Sequence, residues 1–136
     1  MLGISLSIVI MGCTKDDSDT DSPTPENVEQ TITTTTWKIT KFVEDGIDET
    51  ADYQGYILQF NANGAASISK NGAVITTSNW SARIDDGKSE LFFNFSGSED
   101  IQELNDDWTI IELGARVIKM EDDNDNFTDL LALEAV

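Results

Sequence analysis

The groups in this chain that could do chemistry are almost all carboxyls. Asp and Glu number 26 against 8 Lys and Arg, His is absent, and Cys occurs once. A glycosidase needs two carboxyls at fixed separation across a cleft. Glu99, Asp100, Glu103, Asp106 and Asp107 crowd one short stretch, which suits caps and solvated faces better than a cleft. A hard cation such as calcium needs several converging oxygens. Asp122, Asn124 and Asn126 repeat the first three ligand spacings of an EF-hand, so they are the candidate metal residues. Phe127 stands where that motif needs Gly, and Leu133 where it needs the bidentate Glu. The competing reading is a solvated hairpin turn. A nucleophilic triad needs a base beside its nucleophile, and a chain without His offers none of the usual ones. The expectation is a protein that is not an enzyme and that uses no cofactor.

Aromatic side chains are the other candidates. Trp37, Tyr53, Tyr56, Phe60, Trp80, Phe93 and Trp108 fall mostly on the apolar sides of alternating segments. They are the candidate ligand-binding residues, because ligand pockets are largely apolar and sit at barrel mouths. The competing reading is a filled core, since an eight-stranded barrel is just wide enough to be packed by its own side chains.

The single thiol has a distinctive setting. An apolar run, Leu2–Gly12, ends in Ile10-Met11-Gly12, and Cys13 follows, then Thr14-Lys15-Asp16-Asp17. An apolar run of about ten residues ending in small residues is a signal-peptide pattern. It is too short to cross a bilayer, which takes about 20 residues. With Cys at the cut point it resembles the lipobox of bacterial lipoproteins. That resemblance implies cleavage before Cys13, a lipid on its sulfur, and a membrane as partner through that lipid. Two or more acyl chains make such a tether stable. Lys15-Asp16-Asp17 resembles the short signal that sends some lipoproteins to the outer membrane surface. The expected location is therefore the bacterial cell envelope, at the outer membrane and surface-exposed.

These assignments divide the chain into a signal peptide over residues 1–12, an acidic tether over 13–25 and one domain over 26–136. Thr14–Pro25 is rich in Asp, Ser, Thr and Pro and holds no large apolar residue, so it cannot offset its own ordering entropy. The formal net charge of −18 speaks against nucleic acid, which demands a basic footprint. It also speaks against adsorption to anionic lipid. Acid spread over turns keeps copies apart, and a monomer is expected.

The domain must position its candidates with strands. Thr24-Pro25-Glu26 predicts a short helix, with Thr as N-cap and Pro in the first turn. From Trp37 onward apolar segments recur between turn signals. They run Trp37–Glu44, Gly55–Asn61, Ala65–Lys70, Ala73–Arg83, Glu90–Ser96, Trp108–Leu113, Ala115–Glu121 and Phe127–Ala135. Asp45-Gly46, Asn63-Gly64, Asn71-Gly72 and Asp86-Gly87 mark turns, and Asx-Gly pairs favour type I′ hairpins. Tight turns force antiparallel neighbours. Eight such strands predict an all-β, up-and-down antiparallel barrel, a closure that removes sheet edges. One short helix, near Ser98–Asn105, interrupts strands five and six, and its Ile101 and Leu104 are placed to plug one end.

Several stretches together resemble the short lipocalin-like domain of bacterial surface and periplasmic lipoproteins. They are Thr36-Trp37-Lys38-Ile39-Thr40, Phe60-Asn61-Ala62-Asn63-Gly64, Asn79-Trp80-Ser81 and Glu103-Leu104-Asn105-Asp106-Asp107-Trp108. The resemblance covers roughly Asn27–Val136 and implies a lipocalin-like barrel binding a small apolar or amphipathic ligand at its open end. That mouth would lie beneath the Asp45–Gln54 loop. The alternative is a filled barrel, acting as a structural or protein-interaction accessory at the cell surface.

Overall fold

Pro25 lacks the N–H that a first helical turn leaves unused, and the Oγ1 of Thr24 accepts the N–H of Asn27 at 3.1 Å. Helix α1 therefore starts where the sequence predicts and spans Pro25–Ile32, burying Val28 and Ile32 on one face. The structure, a computed structural model, describes residues 23–124 and 126–136. The leader, Cys13 and most of the tether lie outside the described residues.

Nine strands follow among the described residues: β1 (Thr36–Glu44), β2 (Ile47–Asp48), β3 (Tyr56–Phe60), β4 (Ala65–Lys70), β5 (Ala73–Asp85), β6 (Lys88–Phe93), β7 (Asp107–Leu113), β8 (Val117–Asp123) and β9 (Thr128–Ala135). All pairings are antiparallel. β1 pairs with β3, β3 to β9 pair in sequence, and β9 returns to β1, which closes an eight-stranded barrel. The two-residue β2 is an appendage, folded back on the end of β1 within the Asp45–Gln54 segment. Helix α2 (Glu99–Glu103) lies between β6 and β7, the fifth and sixth strands of the barrel wall.

Turn chemistry explains the meander. Asp45-Gly46, Asn71-Gly72 and Asp86-Gly87 each place both residues at positive φ, as a type I′ turn requires. Asn63-Gly64 differs, because only Gly64 is at positive φ. Asn61 and Ala65 bracket three residues there, and the Asn63 Oδ1 accepts the Ala65 N–H at 3.0 Å. The extra residue turns a two-residue hairpin into a longer loop closed by a glycine.

β6 ends two residues before the alternation does. Phe95 still points into the core, but its N–H and C=O bond to the side-chain amide of Asn105, each at 2.7 Å. That amide replaces the ladder and lets the chain turn into α2. Ser98 caps this helix through Ile101 N–H, and Ile101 and Leu104 are buried as expected.

One core runs the length of the barrel, and strand alternation feeds it. Leu58 and Phe60, Leu91 and Phe93, Ile118 and Met120, and Leu131, Leu133 and Ala135 all face inward. α1 closes the end where β1 begins: Trp37 donates its indole N–H to the Ile32 carbonyl at 2.9 Å, and Ser89 donates to the Pro23 carbonyl. The other end is closed by α2 and by a 3-10 turn, Thr50–Tyr53.

Candidate functional site

Trp37, Tyr53, Tyr56, Phe60, Trp80, Phe93 and Trp108 come from six separate segments, and folding buries all of them in the same core. Five of them pack directly on one another. Tyr53 meets Phe42 and Tyr56 edge-on, with ring centroids 4.9 and 5.8 Å apart. Phe60 bridges Trp80 at 5.8 Å and Phe93 at 6.1 Å. Edge-on pairs at these distances are favourable beyond the area they bury. Phe42, Phe95, Leu91 and Leu104 belong to the same packing. Period-two alternation places Leu91 and Phe95 there and Leu104 follows the short helix as expected, whereas Phe42 escapes the pattern because the bulge between Ile39 and Lys41 shifts β1 by one residue.

The polar tips of these rings serve the frame. Trp37, Trp80 and Trp108 donate their indole N–H groups to the carbonyls of Ile32, Asn61 and Leu104, at 2.9, 2.8 and 2.8 Å. Tyr53 donates its hydroxyl to the Asp100 carbonyl at 2.7 Å. Burial, with Glu103 and Asp100 nearby, raises the Tyr53 pKa, so the phenol keeps its hydrogen for that bond. A buried aromatic that has spent its polar tip on the backbone acts as a rivet.

The proposed mouth beneath Asp45–Gln54 is occupied by Tyr53 itself, which is 1% exposed. Around it stand three carboxyls, Glu44, Glu49 and Glu103, with an oxygen of each within 4.8 Å of the others. Burial raises the pKa of Glu49 and of Glu103. The Glu49 Oε1 is buried without a donor from elsewhere.

Asp122 lies in β8, and Asn124 and Asn126 lie in the turn that leads to β9. The Asn124 Oδ1 accepts the Phe127 N–H at 3.0 Å and its amide donates to Asp129 at 3.2 Å, so Asn124 is spent on the turn. Asn126 is exposed. Asp122 instead groups with Asp106 and Asp129, again with an oxygen of each within 4.8 Å of the others. Both Asp129 oxygens take protein donors, from Asp45 N–H and the Asn124 amide. Burial, then a hydrogen bond with Asp106, pushes the Asp122 pKa up to about 7. These two triplets are the oxygen sets best placed for a hard cation. Each brings three residues, where calcium takes about six to eight oxygens.

Hollows open on the outside of the barrel. One of about 400 Å³ lies over Asn79, Ser81, Phe92 and Asn94 on β5 and β6. Another of about 380 Å³ is more apolar and lies where β7, β8, β9 and β1 run side by side. No helix among the described residues is long and apolar enough to cross a membrane. No family model, curated protein or solved structure matches the chain. The chain is an all-β protein built on a closed, eight-stranded antiparallel barrel with a packed aromatic interior.

Proposed function

We propose that this protein is a lipid-anchored, non-catalytic component of the bacterial cell envelope whose filled barrel acts through its outer wall and loops. The observation that carries the reading is the interior. The seven aromatic side chains that would have lined a calyx belong to one buried cluster, with Tyr53 against Tyr56 and Phe60 against Trp80 and Phe93, and the Trp N–H groups are taken by backbone. Such a barrel gains stability from its aromatic residues and leaves its outside for recognition. The sequence supports the non-catalytic reading, because without His a nucleophile lacks its usual base.

The anchor rests on the order of residues around Cys13, which resembles a lipobox. The outer-membrane destination rests on Lys15-Asp16-Asp17. A net charge of −18 supports a protein that stays monomeric and avoids nucleic acid. The lipocalin-like family remains a resemblance in the sequence that fits the barrel.

Gentle mass spectrometry of the native protein, beside membrane fractionation of Cys13→Ala, tests this reading. The expected result is a diacylglyceryl mass on the native chain, no molecule carried in the barrel, and loss of Cys13→Ala from membranes. A variant that stays with the membrane overturns the anchor. A stoichiometric apolar passenger inside the barrel overturns the filled interior and restores the calyx reading.

A further inference from the structure

The hollow of about 380 Å³ owes its shape to two irregular strands. The β1–β9 register shifts between Ile39 and Lys41, and the β7–β8 register between Ile110 and Glu112. Each shift leaves one residue, Thr40 or Ile111, without a cross-strand partner. Bulges re-aim side chains and bend a strand, and they recur beside binding sites. Here they flank β8 and β9 from both sides.

The register then places charge around an apolar floor. Ala132 on β9 pairs with Lys41 of β1 on one side and with Lys119 of β8 on the other. A methyl group thus sits between two lysines whose side chains are about half exposed. Leu130, two residues back on the same face, lines the hollow, and Ile111, 51% exposed, also contributes to it. Met120 and Leu131, buried in the wall, line it as well. In a chain with 26 acidic and 8 basic residues, a lysine pair across one small residue is an unusual concentration of positive charge.

The lysines are held by partners that yield. Lys41 bonds to Asp48 at 2.8 Å, and Lys119 stands 3.6 Å from Glu112. Exposed pairs of this kind are worth about 0–1 kcal/mol, so a bound carboxylate can share or take over these ammonium groups. Ligand sites combine an apolar lining with a few convergent polar groups, and this hollow has both.

We propose that this outer-wall hollow binds a single-chain anionic amphiphile of the fatty-acid type. Its carboxylate lies between Lys41 and Lys119 over Ala132, and its chain runs along Leu130 and Ile111. A bilayer surface fits less well, because Asp45, Asp48 and Asp122–Asp123 stand at the same end of β1 and β8 and repel anionic headgroups. The inference rests on the reading that the barrel acts through its outside; it does not depend on lipidation of Cys13.

The test is calorimetric titration of the full chain with dodecanoate below its micelle concentration. Dodecan-1-ol and phosphatidylcholine–phosphatidylglycerol vesicles serve as separate arms. Dodecanoate is expected to saturate one site. Lys41→Gln with Lys119→Gln should weaken it about tenfold, as loss of two charge contacts implies, and should change dodecanol binding little. Ala132→Phe, an outward substitution that fills the hollow, should abolish both. No saturable binding of dodecanoate overturns the hollow alone. Undiminished binding by Ala132→Phe places the chain inside the barrel and overturns the filled-interior reading as well. Vesicle binding sensitive to the same substitutions, without binding of dodecanoate, makes the occupant a lipid surface and overturns the proposal.

Discussion

Tyr53 and Asp100 are joined across the end of the barrel: the Tyr53 hydroxyl donates to the Asp100 carbonyl at 2.7 Å. The bond ties the 3-10 turn between β2 and β3 to helix α2 between β6 and β7. The ring below it meets Phe42 edge-on, and Phe42 in turn meets Trp108 at 6.2 Å. One side chain thus closes the end of the barrel and reaches the packed interior.

Tyr53→Phe keeps the ring and removes the hydrogen bond, at an expected cost of about 0.5–1.5 kcal/mol in urea unfolding. Tyr53→Ala also opens a cavity and should cost about 3–5 kcal/mol. The same variant should begin to bind an environment-sensitive apolar dye, while Tyr53→Phe does not. Equal costs for the two would show that the ring does not seal the barrel.

Trp37 joins α1 to β1 and is fully buried. Trp37→Ala is expected to cost about 3–5 kcal/mol. A change below about 1 kcal/mol, in the range of surface substitutions, would mean that α1 is not held by this ring.

Stability should fall as pH rises from about 4 to about 7. The folded-state pKa of Asp122 is raised from 3.8 to about 7, so between those values the folded chain keeps a proton that the unfolded chain has lost. Raising the pH through that window therefore favours unfolding, and the slope ends above about 7. Raised values at Glu44, Glu49, Glu90 and Glu103 act in the same direction. Asp48 has the opposite sign, because Lys41 and Thr50 lower its pKa, and its effect is confined to acid below 3.8. Asp122→Asn should flatten the profile and raise stability at pH 8 by on the order of 1–2 kcal/mol, after allowance for solvent screening. Urea midpoints across pH measure it, and an unchanged slope would remove Asp122 as the source.

Two type I′ turns should respond differently to the same change. Gly72 is at φ +82° with open space where a Cβ would stand, so Gly72→Ala should cost only backbone strain, about 1–2 kcal/mol. Gly46 is at φ +79° and a Cβ there would lie 3.0 Å from the Phe127 ring. Gly46→Ala should cost more than Gly72→Ala and should shift the Phe127 ring signals in an NMR spectrum. Equal costs with unmoved Phe127 signals would show that the ring gives way freely.

Much of the frame is legible in the residues. Period-two alternation in Tyr56–Phe60 and Leu91–Phe95 predicts which side chains face inward, because a strand turns successive side chains to opposite faces. The Asx-Gly pairs place the hairpins, since positive φ is costly for most other residues. Thr24-Pro25 and Ser98 start helices by supplying caps. Other details depend on partners distant in the chain. Asn105 stops β6 by taking the Phe95 backbone bonds. Asn63-Gly64 closes a longer loop because Trp80 donates its backbone N–H to the Gly64 carbonyl. The carboxyl neighbours of Asp122 come from the loop after α2 and from β9.

By itself the sequence determined the eight barrel strands, most of their turns, the excess of acid and the apolar run before Cys13, because each is a property of neighbouring residues. Only the tertiary structure decided that the aromatic side chains gather into one buried cluster with rings in direct contact. That depends on ring-to-ring distances across the barrel, which composition does not encode. It also decided that Lys41 and Lys119 flank Ala132, because this proximity arises only when β9 inserts between β1 and β8 and the barrel closes.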